Sequence, residues 1–476
     1  MDAPDTRLKI AEPLGAPTRR THARFIVIAL LFLHTVNTYM DRAVISSAVP
    51  HMQSDLGIGD QMMGYVLGVF AVGYALFQIP AGSLADRLGP RRVLTAVVLF
   101  WSAFTMLTGM VRGAVSLLFI RFFFGVGEAG AFPGATSALY KWVPAHERGI
   151  AQGFFHSGAR VGAAISLLLM PLLIDAIGWR LTFAANGVAG IVWVTAWWLW
   201  FRDDPARHWR VGAAEREYIE RGLVQDTTPS ARLPFGQIVT SGNMLLAMFQ
   251  YIASNITNFI SFSWLQPYLI RQYGDSAKYY APIALVFAML AHWTAGALVT
   301  FLHSRGYPVA SRRLPAAAGF AISVAGLLLT TQMTDAGPLV FVLCFSVAAF
   351  GAEMTISPSW AFCMDIGGGK SGAVSGAMNM LGNLGAAFSA IIFPYFVAHV
   401  TLPYFAEATG TANSFFVFAA GMNALGMLAW LFMNPRRKLE AISPRQVRLR
   451  LILFIAIAVL LVGGAVIYTN FFMKKG

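Results

Sequence analysis

The stretch GSLADRLGPRR, Gly82 to Arg92, lies between two apolar runs near residues 62–84 and 93–112. Each run is long enough to cross the ~30 Å hydrocarbon core of a bilayer, which takes about 20 helical residues. The stretch is therefore the short polar link between two membrane-spanning helices. Gly82 allows a second helix to approach closely. Asp86 stands near a helix end, where it can pair with basic groups across an interface between helix bundles. Arg87, Arg91 and Arg92, with Gly89 among them, make the link strongly basic. Lys and Arg collect in the cytoplasmic loops of membrane proteins.

Outward from this link the pattern repeats. Apolar spans fall near 25–48, 62–84, 93–112, 115–140, 149–173 and 181–201, then near 244–270, 279–302, 312–332, 338–363, 371–398 and 412–433, with a thirteenth at 451–470. The chain has 476 residues, 57% hydrophobic and only 12% charged, whereas a soluble domain is about 25% charged. This is an all-α polytopic membrane protein, with the lipid bilayer as its first partner. It divides into a tail (1–24), a six-helix bundle (25–201), a central loop (202–243), a second six-helix bundle (244–433), a basic linker (434–450) and an extra helix with a short tail (451–476). The net charge of +13 reflects basic loops and no nucleic-acid partner. Cys344 and Cys363 fall in apolar runs and form neither a metal-ligand pattern nor a disulfide framework. The first apolar run is too long for a signal segment and reads as a retained helix.

With the N-terminus inside, the inside segments hold 26 of the 35 Lys and Arg, and the outside loops hold four: Arg112, Arg180, Arg271 and Lys278. This asymmetry predicts a cytoplasmic N-terminus, and the expected location is a bacterial inner membrane. Arg445, Arg448 and Arg450 precede the thirteenth span and hold that end inside, which sends the C-terminal tail to the periplasm. The thirteenth span has no charge, and its GGA at 463–465 offers a small-residue packing patch. It is expected to be a peripheral helix outside any substrate path.

The two halves look related. Residues 149–171 and 372–394, compared at a shift of 223, share seven identities in 23 positions, among them Gly149, Gly153 and Gly162. His156 then meets Asn379 and Arg160 meets Asn383. At a shift of 225, EAGAFP from Glu128 meets EMTISP from Glu353. Parallel repeats of six helices imply two bundles, related by a pseudo-twofold axis, with a substrate site between them near the midplane.

The link at 82–92 resembles the loop signature of the major facilitator superfamily between its second and third helices. Its counterpart in the second half, FLHSRGYPVASRR, has lost the acid. YMDRA in span one, RFFFGVGEAGAFP in span four, WLQPYL in span seven and GAMNMLGNLG in span eleven are together similar to the anion:cation symporter family, over about residues 25–433. The resemblance implies proton-driven import of a sugar acid, such as a hexonate or hexuronate, or of another carboxylate, by alternating access. It implies no cofactor, the proton being the coupling ion, and a monomer as the functional unit. The thirteenth span lies outside it.

Charge inside the spans points the same way. Tyr39 and Arg42 share a helix face, and so do Arg121 and Glu128. Asp41, Arg42, Arg121 and Glu128 have a meeting place at similar depth in one half. Buried charge in a span usually lines a water-filled path. Arg stays cationic, whereas a desolvated carboxylate takes up a proton. Protonating Asp41 or Glu128 leaves an Arg ready for an anionic substrate. The resemblance gives the same positions the same roles: Asp41 and Glu128 as proton carriers, Arg42 and Arg121 as anion contacts, Tyr39, Tyr74 and Asn379 as substrate contacts. Gln78 lies one turn from Tyr74.

In span seven, Tyr251, Ser254, Asn255 and Asn258 form a polar stripe at helical spacing, either as a hydroxyl-binding wall or as interhelix hydrogen bonding. His156 stands where the family commonly has an asparagine, which either widens anion selectivity or supplies one hydrogen bond. Arg160 fits the family pattern but also suits a pair at the bundle interface. Glu353 reads either as a second titrating site or as half of a local polar pair. No nucleotide loop, metal spacing or catalytic triad is present, so an enzyme is not expected. Anion exchange without proton coupling, and an anion sensor that does not transport, remain as alternatives.

Overall fold

In a computed structural model, the residues described are 21–223, 235–399 and 412–439, with Ser443, Arg445, Gln446, Arg448, Leu449 and Ile452. Except for Ile452, the expected thirteenth span lies outside them. The helices of the first half are α1 (Ala23–Leu56), α2 (Asp60–Leu88), α3 (Pro90–Thr108), α4 (Ala114–Glu128), α5 (Ala131–Trp142) and α6 (Arg148–Trp200). The central segment carries α7 (Ala213–Gly222) and α8 (Phe235–Thr240). The second half has α9 (Gly242–Ser263), α10 (Leu265–Tyr273), α11 (Pro282–Ser304), α12 (Ala310–Gln332), α13 (Pro338–Met354), α14 (Ile356–Gly367), α15 (Ser371–His399) and α16 (Asn413–Phe432).

Helix length and membrane crossing do not coincide one to one. At 53 residues, α6 is far too long for a single crossing. It contains two, divided at Gly178, whose φ of 78° and ψ of 156° are non-helical. Conversely α4 and α5 make one crossing, interrupted just after Glu128, and α13 and α14 make another, interrupted just after Glu353 and Met354. Two bundles of six crossings result.

Within the first bundle α1 packs along α6, α2 along α4, and α3 against both. Within the second, α9 lies against α15 and α16, and α12 against α13 and α16. The bundles meet where α2 lies on α15 and where α6 lies on α11. The repeat in the sequence is visible at these two seams. Gly153 of α6 faces the His292 carbonyl of α11, and its equivalent, Gly376 of α15, faces the Gln78 carbonyl of α2. The small residues shared by the two segments are those that let backbones touch.

The opening link is a tight turn. Gly89 has φ +88°, and a Cβ there would run into the Asp203 carboxylate. Pro90 begins α3 at its first position, and Asp203 Oδ1 accepts from the Arg91 amide at 3.0 Å. Arg91 also donates to the Trp198 carbonyl at 2.7 Å, whereas Arg87 and Arg92 are exposed. The face carrying this link, the central segment and the other Arg-rich links is called the basic face below. Part of the central segment is docked on it. Glu215 of α7 accepts from the Ala23 and Arg24 amides at 3.0 and 3.2 Å, at the start of α1. It also accepts from the Arg24 guanidinium at 3.1 Å. A carboxylate there satisfies donors that the first helical turn leaves open.

Candidate functional site

Two helices of the first half, α1 and α4, bring the charged residues together, and α2, α3 and α5 surround them. Arg42 of α1 donates from Nε to Glu128 Oε2 at 2.9 Å. Its guanidinium lies 4.5 Å from the Tyr74 ring centroid and 5.1 Å from that of Tyr39, with Phe70 and Phe132 next at 5.6 and 5.9 Å. Such an aromatic box attracts a cation through the ring faces. Glu128 is fully buried because it ends α4 at the interruption, inside the bundle. Asp41, one residue from Arg42 on α1, turns away to α3 and accepts from Trp101 Nε1 at 3.1 Å and from Asn37 at 3.4 Å. Its second oxygen has no hydrogen-bond partner among the described residues.

Arg121 is 2% exposed. Its guanidinium lies 4.4 Å from the Phe124 ring centroid and 5.2 Å from that of Phe70. Glu128, Asp41 and Arg42 are within electrostatic reach. Yet among the described residues no carboxylate forms an ion pair with Arg121, and its Nε has no acceptor. The cluster thus contains one closed pair, one carboxylate held by neutral donors and one cation with no anionic partner. An uncompensated charge at this depth costs roughly 2.5–3.5 kcal/mol on insertion scales. An anion beside Arg121 recovers part of that cost.

The second half faces this cluster with neutral groups. Asn379 of α15 donates to the Tyr74 hydroxyl at 3.1 Å, across the two halves, and its own carbonyl accepts from Asn383 at 2.7 Å. Tyr251 accepts from Trp360 Nε1 at 2.9 Å. The polar stripe of span seven divides. Asn255 is half-buried, and its amide bonds the Tyr251 carbonyl at 2.7 Å. Ser254 is turned into α13, where it donates to the Ala352 carbonyl at 3.0 Å, and Asn258 bonds Ser254 at 3.2 Å. Those two serve helix packing, with only the Asn258 carbonyl oxygen left over. Gln78 is fully buried, and neither amide atom has a hydrogen-bond partner among the described residues. His156 Nδ1 lies 3.0 Å from the Gln152 carbonyl, and its ring packs on Trp360, Phe132 and Phe155.

Further contacts join the halves from the basic face to the midplane. Asp86 was expected to meet basic groups across the interface. Lys370 lies within electrostatic reach, and the two Asp86 oxygens accept directly from the Gly372 and Ala373 amides at 3.0 and 2.9 Å, at the start of α15. Open N–H groups and the positive end of a helix dipole serve as well as a cation. Gly82 makes this possible, since a Cβ there would strike the Gly372 carbonyl. Arg148 of α6 and Arg312 of α12 share Asp365 at 2.9 and 2.8 Å. At midplane Arg160 of α6 pairs with Glu353 of α13. Sequence reasoning did not find Trp101, Phe70, Phe132, Trp360 or His292. Each reaches its partner from a different helix, so no spacing along the chain marks it.

The Major Facilitator Superfamily profile matches residues 31–390. The chain is 31% identical, over 88% of its length and 95% of the relative's, to the probable sulfoacetate transporter SauU of Cupriavidus necator. It is 30% identical to the probable galactarate/D-glucarate transporter GudP of Bacillus subtilis, over 87% of its own length and 92% of that protein's. Among solved structures it superposes on the proton:xylose symporter XylE with a TM-score of 0.65 at 15% identity, covering 87% of this chain and 96% of the other. It also superposes on the fucose:proton symporter FucP of E. coli, with a TM-score of 0.60 at 14% identity, over 87% of this chain and 100% of that one. At those identities the likeness speaks for the fold alone. This protein is a multi-pass membrane transporter, not an enzyme, and belongs to the sugar-acid and organic-anion branch of the major facilitator superfamily.

Proposed function

We propose that this transporter imports an organic anion across a bacterial inner membrane by proton symport, with the basic face in the cytoplasm. The observation that carries the reading is Arg121, a buried guanidinium without a carboxylate partner beside an Arg42–Glu128 pair. Arg121 takes the anionic group of the substrate, since a guanidinium can grip a carboxylate or sulfonate through two parallel hydrogen bonds. Protonation of Glu128 releases Arg42 to join it, and Asp41 takes a proton beside Trp101. Tyr39, Tyr74, Asn255 and Asn379 meet the neutral part of the substrate. In this way proton and anion enter one charge balance. The inter-half contacts described above hold the cytoplasmic side shut, which makes this the state that loads from outside.

The relatives point to sugar acids and small sulfonated or carboxylated anions as the first substrates to try. Uptake by the purified protein in liposomes, with and without an inward proton gradient, tests the reading over a panel of hexonates, hexuronates, galactarate and sulfoacetate. Concentrative uptake of one of these, driven by the gradient, is expected. Exchange that ignores the gradient would assign anion exchange instead.

A further inference from the structure

A second group of titratable side chains lies at midplane, outside the cluster around Arg42. Glu353 is 2% exposed. It pairs with Arg160 of α6 through one oxygen, and its other oxygen lies 3.1 Å from His292 Nε2 of α11. His292 in turn stacks on His156 of α6, with ring centroids 6.1 Å apart. Tyr39 and Tyr251 are the other ionisable groups within reach of Arg160. The group spans both halves, since α6 belongs to the first and α11 and α13 to the second.

Its position repeats that of the first cluster. Glu128 and Glu353 correspond in the two halves, and each stands where its crossing is interrupted. Each also holds an Arg of the first half. Glu128 takes Arg42 within its own bundle, whereas Glu353 takes Arg160 from the opposite one. The second pair is therefore a bond between the bundles. It continues, toward the midplane, the line of contacts formed by Arg148 with Asp365 and by Ser357 with the Gly149 carbonyl. Separating those surfaces at the basic face strains the pair or parts it. Parting a buried ion pair leaves a bare charge on each side, which is strongly unfavourable away from water. A proton on Glu353 removes one of those charges before the bundles separate.

We propose that Glu353 is a second proton-binding site of the transporter, whose protonation releases Arg160 and so permits the basic face to open. This site stands apart from the coupling given to Asp41 and Glu128. It requires only that the bundles move relative to one another, and it is testable without substrate. The groups facing Glu353 are Arg160 and His156 from α6 and His292 from α11. On α12 the charged residues Arg312 and Arg313 sit at the basic end, engaged with Asp365 and the Met433 carbonyl.

The test uses the full-length chain in nanodiscs, with Cys344→Ala and Cys363→Ala as background. Nitroxide labels replace Trp209 and Tyr307, two exposed residues on the basic face of the first and second half. The inter-label distance distribution is read by electron–electron resonance in mildly basic and mildly acidic buffer. In the parent chain acidification is expected to raise the long-distance population. Glu353→Gln should show that population in both buffers and lose the response. Arg160→Gln carries the test should Glu353→Gln fail to fold. With Arg160 gone the bond between the bundles is absent at any pH, so the long-distance population should again appear in both buffers. The same transition in Glu353→Gln or in Arg160→Gln as in the parent overturns the proposal. So does loss of the response in His292→Gln with its retention in Glu353→Gln. Loss of the response only in Asp41→Asn or Glu128→Gln would overturn it too, while leaving the coupling reading above intact.

Discussion

At the scale of single residues, the first half separates two tasks that its four charges share. Arg42 is already neutralised by Glu128, and its box of aromatic rings stabilises it further. Arg121 has rings but no carboxylate. Arg121→Ala should therefore weaken binding of the transported anion about 10- to 100-fold, the worth of a charge-assisted hydrogen-bond pair of about 1.5–3 kcal/mol. Arg121→Lys keeps the charge but loses the fork and should fall between. Titration calorimetry with the anion chosen by the liposome panel measures both, and equal affinities for the two variants would contradict the assignment. Glu128→Gln and Asp41→Asn should lose gradient-driven accumulation yet keep counterflow, because the substrate still meets Arg121. Undiminished accumulation in both would remove the proton from their roles.

Elements act through their ends and interruptions. The α2–α3 turn touches α15 through Asp86 and Gly82, so its position reports whether the halves are closed at the basic face. Asp86→Ala removes a helix cap worth roughly 0.5–2 kcal/mol and should shift the population toward an open basic face. Gly82→Val places a branched side chain against the Gly372 backbone and should prevent the same closure. Both variants are expected to elute as folded monodisperse protein while transport falls, with cysteines introduced at the seam on the basic face labelled faster than in the otherwise unchanged chain. Unchanged labelling would show that the contact does not hold the face shut. The interruptions after Glu128 and Glu353 act differently. They put an acid at the end of a half-length helix inside the bundle, where a neighbouring helix can supply an Arg.

For the whole molecule, the central segment fixes the entrance of α1 to the rest of the first half. Arg24 donates to Glu147 Oε2 at 2.9 Å, and the Tyr218 hydroxyl donates to Glu147 Oε1 at 2.7 Å. Burial pushes the Glu147 carboxyl up, but the hydrogen bonds from Arg24 and Tyr218 and the nearby positive charge outweigh it, and the net shift is downward. A carboxylate with a depressed value stabilises the fold above the ordinary carboxylate range and loses that contribution as pH falls through its folded value. Thermal unfolding in detergent should therefore show a stability loss on acidification, and Glu147→Gln should flatten that part of the profile. A Glu147→Gln profile parallel to the parent's would show that the cluster does not carry the acid limb. The sequence alone marked this segment only as a central loop between the bundles. Its charges are balanced and largely exposed, and only folding reveals that Glu215 meets the first turn of α1.

Periodicity and charge along the chain determined the all-helical membrane class, the twelve crossings of the two bundles, the duplication and the residues of the first-half cluster. Hydrocarbon tolerates no unpaired backbone and little charge, so spans and their buried acids and arginines stand out locally. The shared meeting place of Asp41, Arg42, Arg121 and Glu128 followed from depth along two helices, whereas the choice of Glu128 as Arg42's partner came from the structure. Tertiary structure decided what depends on rotation and on neighbours distant in sequence. It gave Asp41 to Trp101, left Arg121 with no carboxylate partner among the described residues, and turned Ser254 toward α13 with Asn258 bonded to it. It paired Arg160 with Glu353 across the halves and set His292 beside them. One turn of a helix presents its side chains to several neighbours, and packing of the bundles chooses which neighbour each one meets.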